Sequence, residues 1–248
     1  MSLTDSGNIH RQWRNGLRPR HLRTWPLSDP GQVPTGRVAR PDKGRQGRLP
    51  HRTAERQTSR VADLTVFPVT AERWDDLVML FERRGPHGGR PITLGCWCMY
   101  WRLDGRTFTR NWGEPNRAAL EELVRAGAEP GLLAYADGEP IGWCSLGPRE
   151  RFSRLERSPV LKRVDDEDVW SIVCFYVHGS HRREGTATAL LDAALEYAAA
   201  RGARLVEAYG CRPGDSDPYT GFTAMFDEAG FSPVREGGRR TIMRRRLT

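Results

Sequence analysis

From residue 61 onward, short runs of β-branched and aromatic residues alternate with longer amphipathic stretches. Residues 64–69 (LTVFPV) predict a short strand. Thr70 then caps a helix with Glu72 in its first turn and apolar positions at Trp74, Leu77, Val78 and Phe81. The glycines and prolines of residues 85–91 end it. A second helix is predicted over residues 115–126, with Pro115 in its first turn and Gly127 closing it. Residues 132–135 and 141–146, joined at Asp137 and Gly138, predict a β-hairpin. Residues 147–168 are polar and poorly periodic, as expected of a loop with one helical turn.

The most informative pattern spans residues 170–202. WSIVCFYV (residues 170–177) predicts a buried strand. Leu190, Leu191, Ala194, Leu195 and Ala198 lie at helical spacing with one buried face. Between them a polar loop ends in Arg182-x-x-Gly185-x-Ala187. Residues 204–209 predict a further strand, so the order strand, helix, strand implies a right-handed parallel crossover. A helix over residues 219–228, closed by Gly230, precedes a terminal hairpin of residues 231–234 and 241–246 about Gly237 and Gly238. The expected fold class is α/β (α+β): a mixed sheet with helices on its faces, over residues 61–248.

Composition changes this picture mainly at the N-terminus. The chain carries a formal net charge of +8. Residues 1–60 hold 13 Lys and Arg against 4 Asp and Glu, which is +9, leaving the remainder at −1. Rich in Gly, Pro, Arg and Ser, the segment 1–60 has too little apolar surface to offset its ordering entropy and is expected to be a disordered basic tail. Arg outnumbers Lys 37 to 2, the bias of a GC-rich genome, so an alternative expectation is that translation starts near Val61. The near-neutral remainder argues against a nucleic-acid partner. No run approaches a membrane span, and no apolar secretory segment opens the chain. Five scattered cysteines, an odd number, fit reduced thiols in the cytoplasm rather than a disulfide framework.

A strand, a glycine-bearing turn and a helix N-terminus together make a site for a phosphate group, because unpaired N–H groups and the positive end of the helix dipole point outward there. Arg182 and Arg183 add charge and forked donors. With its flanks this stretch resembles motif A of the GNAT superfamily of acetyl-CoA-dependent N-acetyltransferases, an Arg or Gln, two residues, Gly, one residue, then Gly or Ala, after a strand such as Tyr176-Val177-His178. Residues 226–231 (FDEAGF) resemble the family's distal segment. The resemblance covers residues 64–246 and implies a mostly antiparallel sheet holding one splayed parallel strand pair, with acetyl-CoA as cofactor. It implies that backbone groups of Arg183, Glu184, Gly185, Thr186, Ala187 and Thr188, beside Arg182, cradle the pyrophosphate. Phe175, Tyr176 and Val177 would pair with pantetheine as an added strand.

Many family members carry a Tyr, the acid that protonates the departing thiolate, where this chain has Phe226. Tyr219, expected to pack against the cofactor, is the nearest substitute acid, with Tyr176, Cys174 or water as alternatives. The base is expected among His178, His181, Glu139 and the run Asp165, Asp166, Glu167 and Asp168, with His178, at the strand end, taken as the candidate. The aromatic segment containing Cys96, Trp97, Cys98, Met99, Tyr100 and Trp101 is expected to line the acceptor pocket through Trp97, Tyr100 and Trp101, or to pack in the core. One-residue spacing of Cys96 and Cys98, with no second pair at ribbon distance, argues against a metal site. The expected activity is acetyl transfer to a primary amine of a small molecule or peptide by direct attack in a ternary complex. A non-catalytic acyl-CoA-binding module is the alternative, and a homodimer is compatible with either.

Overall fold

The computed structural model describes residues 64–83, 95–214 and 218–247; the expected basic tail of residues 1–60 and the helix-ending segment 85–91 lie outside the described residues. Strands β1 (Thr65–Pro68), β2 (Gly131–Ala136), β3 (Glu139–Pro148), β4 (Trp170–Val177), β5 (Leu205–Cys211), β6 (Ser232–Gly237) and β7 (Arg240–Arg246) form one sheet in the order β1-β2-β3-β4-β5-β7-β6. All neighbours are antiparallel except β4 and β5. Both predicted hairpins form, the first turning at Asp137 and Gly138, each at positive φ as that tight connection requires.

Helices cover both faces because the strands are apolar on both sides; every residue of β2 and of β5 is buried. On one face lie α5 (Thr186–Ala200) and α6 (Thr223–Glu228), packed through Leu190, Leu191, Ala194 and Phe226 onto Ile172, Phe175, Val206 and Ala208. The other face is covered by α1 (Trp74–Glu82), α3 (Glu114–Arg125) and the turn at residues 97–99, packed on Leu133, Trp143 and Tyr176. A third cluster joins Trp101, Phe152, Val173 and Tyr209, with Leu155 from α4 (Ser153–Arg157).

The short helix α2 (Gly105–Arg110) has no buried residue and hence no apolar period for the sequence to display. Its cap holds it: the Asp104 carboxylate accepts from the N–H groups of Arg106 and Thr107, both at 3.0 Å, and these backbone donors lower its pKa. The helix expected over residues 219–228 is split. A 3-10 turn, Pro218–Thr220, comes first, and α6 starts only at Thr223. Gly221 lies at φ +90, and its carbonyl accepts from the Cys211 N–H at 2.9 Å, so the chain leaves helical geometry to reach the end of β5. A Cβ at Gly221 would collide with Phe226 and Met225.

A buried ionic network ties the strands together beneath α4. Arg149, 1% exposed, binds Glu207, 0% exposed, and also meets the Tyr209 hydroxyl at 2.7 Å, Glu156 at 2.9 Å and the Leu161 carbonyl at 2.6 Å. Arg244 Nε meets the second oxygen of Glu207 at 2.9 Å. Removing one member of such a pair strands the other charge. Glu207→Leu is therefore expected to cost about 3–5 kcal/mol in urea unfolding, and Glu207→Leu with Arg149→Met to cost less than Glu207→Leu alone.

Candidate functional site

Strands β4 and β5 pair only at Trp170–Val206, Ser171–Glu207 and Ile172–Ala208. Both strands continue past that point, β4 to Val177 and β5 to Cys211, without pairing to each other. β4 instead stays with β3 as far as Val177–Gly142. The divergence starts at a β-bulge, where the partners step from Ser145–Cys174 to Leu146–Ile172 and leave Val173 over. A bulge bends its strand and increases its twist. Here it also resets the alternation of faces: Val173 and Cys174 share one face, and Phe175 returns to the face of Ile172.

Past the bulge one edge of β4 is open. The His178 N–H donates to the Ile141 carbonyl at 2.8 Å, toward β3. By strand alternation the backbone groups of Val177 and Phe175 then point the other way, into the opening. The Arg182 Nε reaches back to the Val177 carbonyl at 3.1 Å, as that orientation requires.

The turn after β4 delivers the chain to α5. His178, a residue 4% exposed, caps a 3-10 turn, Gly179–His181, and its Nδ1 lies 2.7 Å from Ser180 Oγ. Arg183 (φ 67) and Gly185 (φ 85) both adopt left-handed geometry, which swings the helix axis into place. Gly185 is the N-cap, and no side chain caps the helix. The first helical bond runs from Ala189 N–H to the Gly185 carbonyl, so the N–H groups of Thr186, Ala187 and Thr188 have no partner within the helix. No acidic residue stands in the first turn, and a Cβ at Gly185 would meet nothing within 4 Å. Arg182, Arg183 and Glu184 are exposed around this end, and Glu184 Oε2 lies 3.3 Å from His181 Nδ1. Thr186, 2% exposed, anchors the turn through Oγ1 to the His181 carbonyl at 3.2 Å. An open strand edge thus leads directly to a helix N-terminus with no side-chain cap and no acid in its first turn, the donor set that an amide chain ending in phosphates requires.

A groove of about 520 Å³ extends from this end between α5 and α6, lined by Thr188, Gly214, Phe222, Met225 and Glu228 among others. Residues 220–222 edge β5 where β4 has departed, with Cys211 bridging Phe222 in parallel. Tyr219, 43% exposed, sits in the 3-10 turn that faces β4 across the opening, within electrostatic range of Tyr176. Phe226 is fully buried between Phe175 and Phe231, so it serves the core and offers no proton.

The two faces of the opening differ. Phe175 packs toward α5 and α6, whereas Tyr176 packs toward α1 and Trp97, its ring 6.3 Å from that of Phe81. The Tyr176 hydroxyl is buried without a hydrogen-bond partner among the described residues, and burial raises its pKa. Trp97 and Trp101 are buried, at 5% and 7% exposed; Trp97 stacks on Trp74, and Trp101 on Tyr209. Tyr100, 38% exposed, is the member of the aromatic segment that offers surface. The core reading thus describes the two tryptophans, which back this face rather than line it. Glu139 is exposed at its hairpin turn, and the Asp165 carboxylate is held by Arg244 at 2.6 Å, which lowers its pKa. Neither the orphaned hydroxyl of Tyr176 nor the groove wall of Phe222 and Met225 was visible in the sequence, since both depend on contacts between distant segments.

Among the described residues, no group of three or more His, Cys, Asp or Glu side chains could hold a metal ion, and no helix is long and apolar enough to cross a membrane. No curated protein matches the sequence. Among solved structures, the PaiA N-acetyltransferase of Thermoplasma acidophilum in complex with coenzyme A is 14% identical, over 75% of this chain and 99% of that one, at a TM-score of 0.45. The GNAT domain of S. lividans PAT is 19% identical, over 74% and 90%, at 0.44. A GNAT-family acetyltransferase of Listeria monocytogenes is 9% identical, over 75% and 98%, at 0.48. The family model described as acetyltransferase (GNAT) family matches residues 97–218, a span that contains the open strand edge, the turn and the helix N-terminus. Residues 97–218 thus match the GNAT family of acetyltransferases, and the mixed sheet with one splayed parallel pair is the one that resemblance implies.

Proposed function

We propose that the chain, through a domain over residues 61–248, is an N-acetyltransferase that moves acetyl from acetyl-CoA to a primary amine of a small molecule or peptide by direct attack in a ternary complex. The observation that carries this reading is the open edge of β4 beyond Ile172, continuous with the uncapped N-terminus of α5. The bound cofactor supplies an acetyl group activated as a thioester. Phe175 and Val177 present backbone groups to its amide chain, and the Phe175 N–H is placed to polarise the carbonyl. Thr186, Ala187 and Thr188 offer N–H groups to the diphosphate, with Arg182 and Arg183 adding charge at the rim. The acceptor enters on the face of Cys174 and Tyr176, with Tyr100 at its edge and Trp97 and Trp101 behind. Tyr219 is assigned as the acid for the departing thiolate, because its turn faces the opening across from β4. The capping bond that His178 Nδ1 accepts from the Ser180 N–H supports a role for His178 in shaping the turn. The five cysteines are free thiols, which supports a cytoplasmic location.

A non-catalytic acyl-CoA-binding module is the second reading, favoured by the absence of a hydroxyl at Phe226. Release of CoA thiol in the presence of an amine panel separates the two; cofactor binding without release under any amine would favour the module.

Acetyl-CoA at a hundredfold excess over its Kd should stabilise the protein by about 2.7 kcal/mol, and the absence of a thermal shift at saturating cofactor would overturn the proposed site. Gly185→Ala should cost about 1–2 kcal/mol in the free protein through left-handed strain, and should weaken cofactor binding further, as titration calorimetry would show. Tyr219→Phe should lower kcat by about 10²-fold with little change in the KM for acetyl-CoA; an unchanged kcat would remove Tyr219 from the acid role.

A further inference from the structure

Trp101 begins a row of rings that leads away from the splay. Tyr209 is the first residue of β5 past its last pair with β4, and Trp101 stacks on it at 6.3 Å. From Trp101 the row continues edge to face through Tyr100 (4.9 Å), Phe108 (5.4 Å) and Trp112 (5.6 Å). It starts buried on the sheet and ends on the surface, where Tyr100 is 38% and Trp112 51% exposed. Arg154 of α4 fixes the middle of the row. Its N–H donates to the Trp101 carbonyl and its Nε to the Tyr100 carbonyl. Its guanidinium lies 4.0 Å from the centre of the Tyr100 ring and 5.6 Å from that of Phe108. Single exposed rings are ordinary, but connected rings with a guanidinium among them have the composition of a binding surface, where Trp, Tyr and Arg carry most of the energy.

The charges around the row are one-sided. The stretch from Arg83 to Trp112 holds six Arg against one Asp, which is +5. That acid, Asp104, is turned to the N–H groups of α2. Glu156 is shared by Arg149 and Arg163, and Glu114 is paired with Arg117. Arg106 and Arg110 stand exposed on α2, and neither they nor Arg154 forms an ion pair among the described residues. One terminal nitrogen of Arg154 has no hydrogen-bond partner among them either. Surplus cations beside exposed rings repel a polycation and suit a chain carrying carboxylates and apolar side chains.

We propose that Tyr100, Phe108 and Trp112, with Arg106, Arg110 and Arg154, form a docking surface for an acidic polypeptide segment whose apolar side chains lie on the rings. Each ring-to-ring step exceeds the rise of one residue in an extended chain, roughly 3.3 Å, so the row spans more than a single small amine covers. Because the row begins at the splay, a segment docked along it brings a terminal amine or a lysine side chain to the opening. The acceptor is then a peptide amine in an acidic context, and a polyamine is disfavoured. That last step rests on the acetyl transfer proposed above; the docking surface does not.

The test titrates the full chain, without cofactor, into short peptides that carry a free α-amine and a C-terminal fluorophore, and reads fluorescence anisotropy. One peptide alternates Glu with Phe, a second has Arg in place of Glu, and a third has Ala in place of Phe. The Glu/Phe peptide should bind at least about tenfold tighter than either control at low salt, and added salt should weaken it. Trp112→Ala should weaken its binding about tenfold. Arg106→Glu combined with Arg110→Glu, at exposed positions, should do the same in protein that circular dichroism shows to be folded. Equal binding of either control peptide, tighter binding of a single-stranded oligonucleotide, or unchanged binding in both variants would overturn the proposal. Docking of the Glu/Phe peptide without release of CoA thiol from acetyl-CoA would uphold the surface and refute its link to acetyl transfer. Faster thiol release with spermidine than with that peptide would overturn the assignment of the acceptor.

Discussion

Everything in the site depends on one backbone feature: β4 stays paired with β3 to Val177 but leaves β5 after Ile172. The bulge at Val173 bends it away, and the rest of the strand keeps one unsatisfied edge inside the molecule. Buried backbone donors and acceptors are seldom left without partners, because each orphan costs free energy comparable to a lost hydrogen bond. The protein meets this cost only in part. Arg182 reaches back to the Val177 carbonyl, and residues 220–222 satisfy the matching edge of β5 through the Cys211–Gly221 bond. What stays open on β4 is a row of groups with the spacing of a strand, which an extended amide chain can complete.

The same bulge divides the chemistry between two faces. By placing Val173 and Cys174 together on one side, it returns Phe175 to the core beneath α5 and α6, where Phe226 and Phe231 hold its ring. Cys174 and Tyr176 are left on the side of α1 and the 97–101 segment. The face under α5 is therefore packed and rigid. The opposite face carries polar and sulfur-bearing groups: the orphaned phenol of Tyr176, the thiols of Cys98 and Cys174 and the buried guanidinium of Arg102. The ionic network of Arg149, Glu207, Tyr209 and Arg244 lies at the closed end of the splay, where it keeps the paired halves of β4 and β5 together.

Local signals in the sequence located much of this. The strand at residues 170–177, the turn after it and the helix from Thr186 were legible, because each rests on short-range rules: β-branched and aromatic runs, a left-handed glycine, and helical apolar spacing. Both hairpins were legible for the same reason. The helix α2 was not, since it buries nothing and depends on the Asp104 cap. The break at Gly221 was also hidden, because the pull toward β5 comes from Cys211, ten residues away in sequence. The aromatic segment was recognisable as unusual, but its surroundings were not: Trp97 and Trp101 are buried in ring contacts, and Cys98 accepts from the Trp143 indole of β3.

The sequence by itself determined the order of elements, the phosphate-type turn with its Arg182-x-x-Gly185-x-Ala187 spacing, and the family resemblance that follows from them, since all of these are encoded within a few residues of one another. Only the tertiary structure decided which face each strand residue takes past the bulge, that Tyr176 keeps a hydroxyl unpartnered among the described residues, that Phe226 belongs to the core, and that Cys98 accepts from the Trp143 indole. These outcomes depend on the register between β3 and β4 and on segments dozens of residues apart. A one-residue bulge reverses the facing of every later side chain in a strand, and no local pattern records where the partner strand will require it.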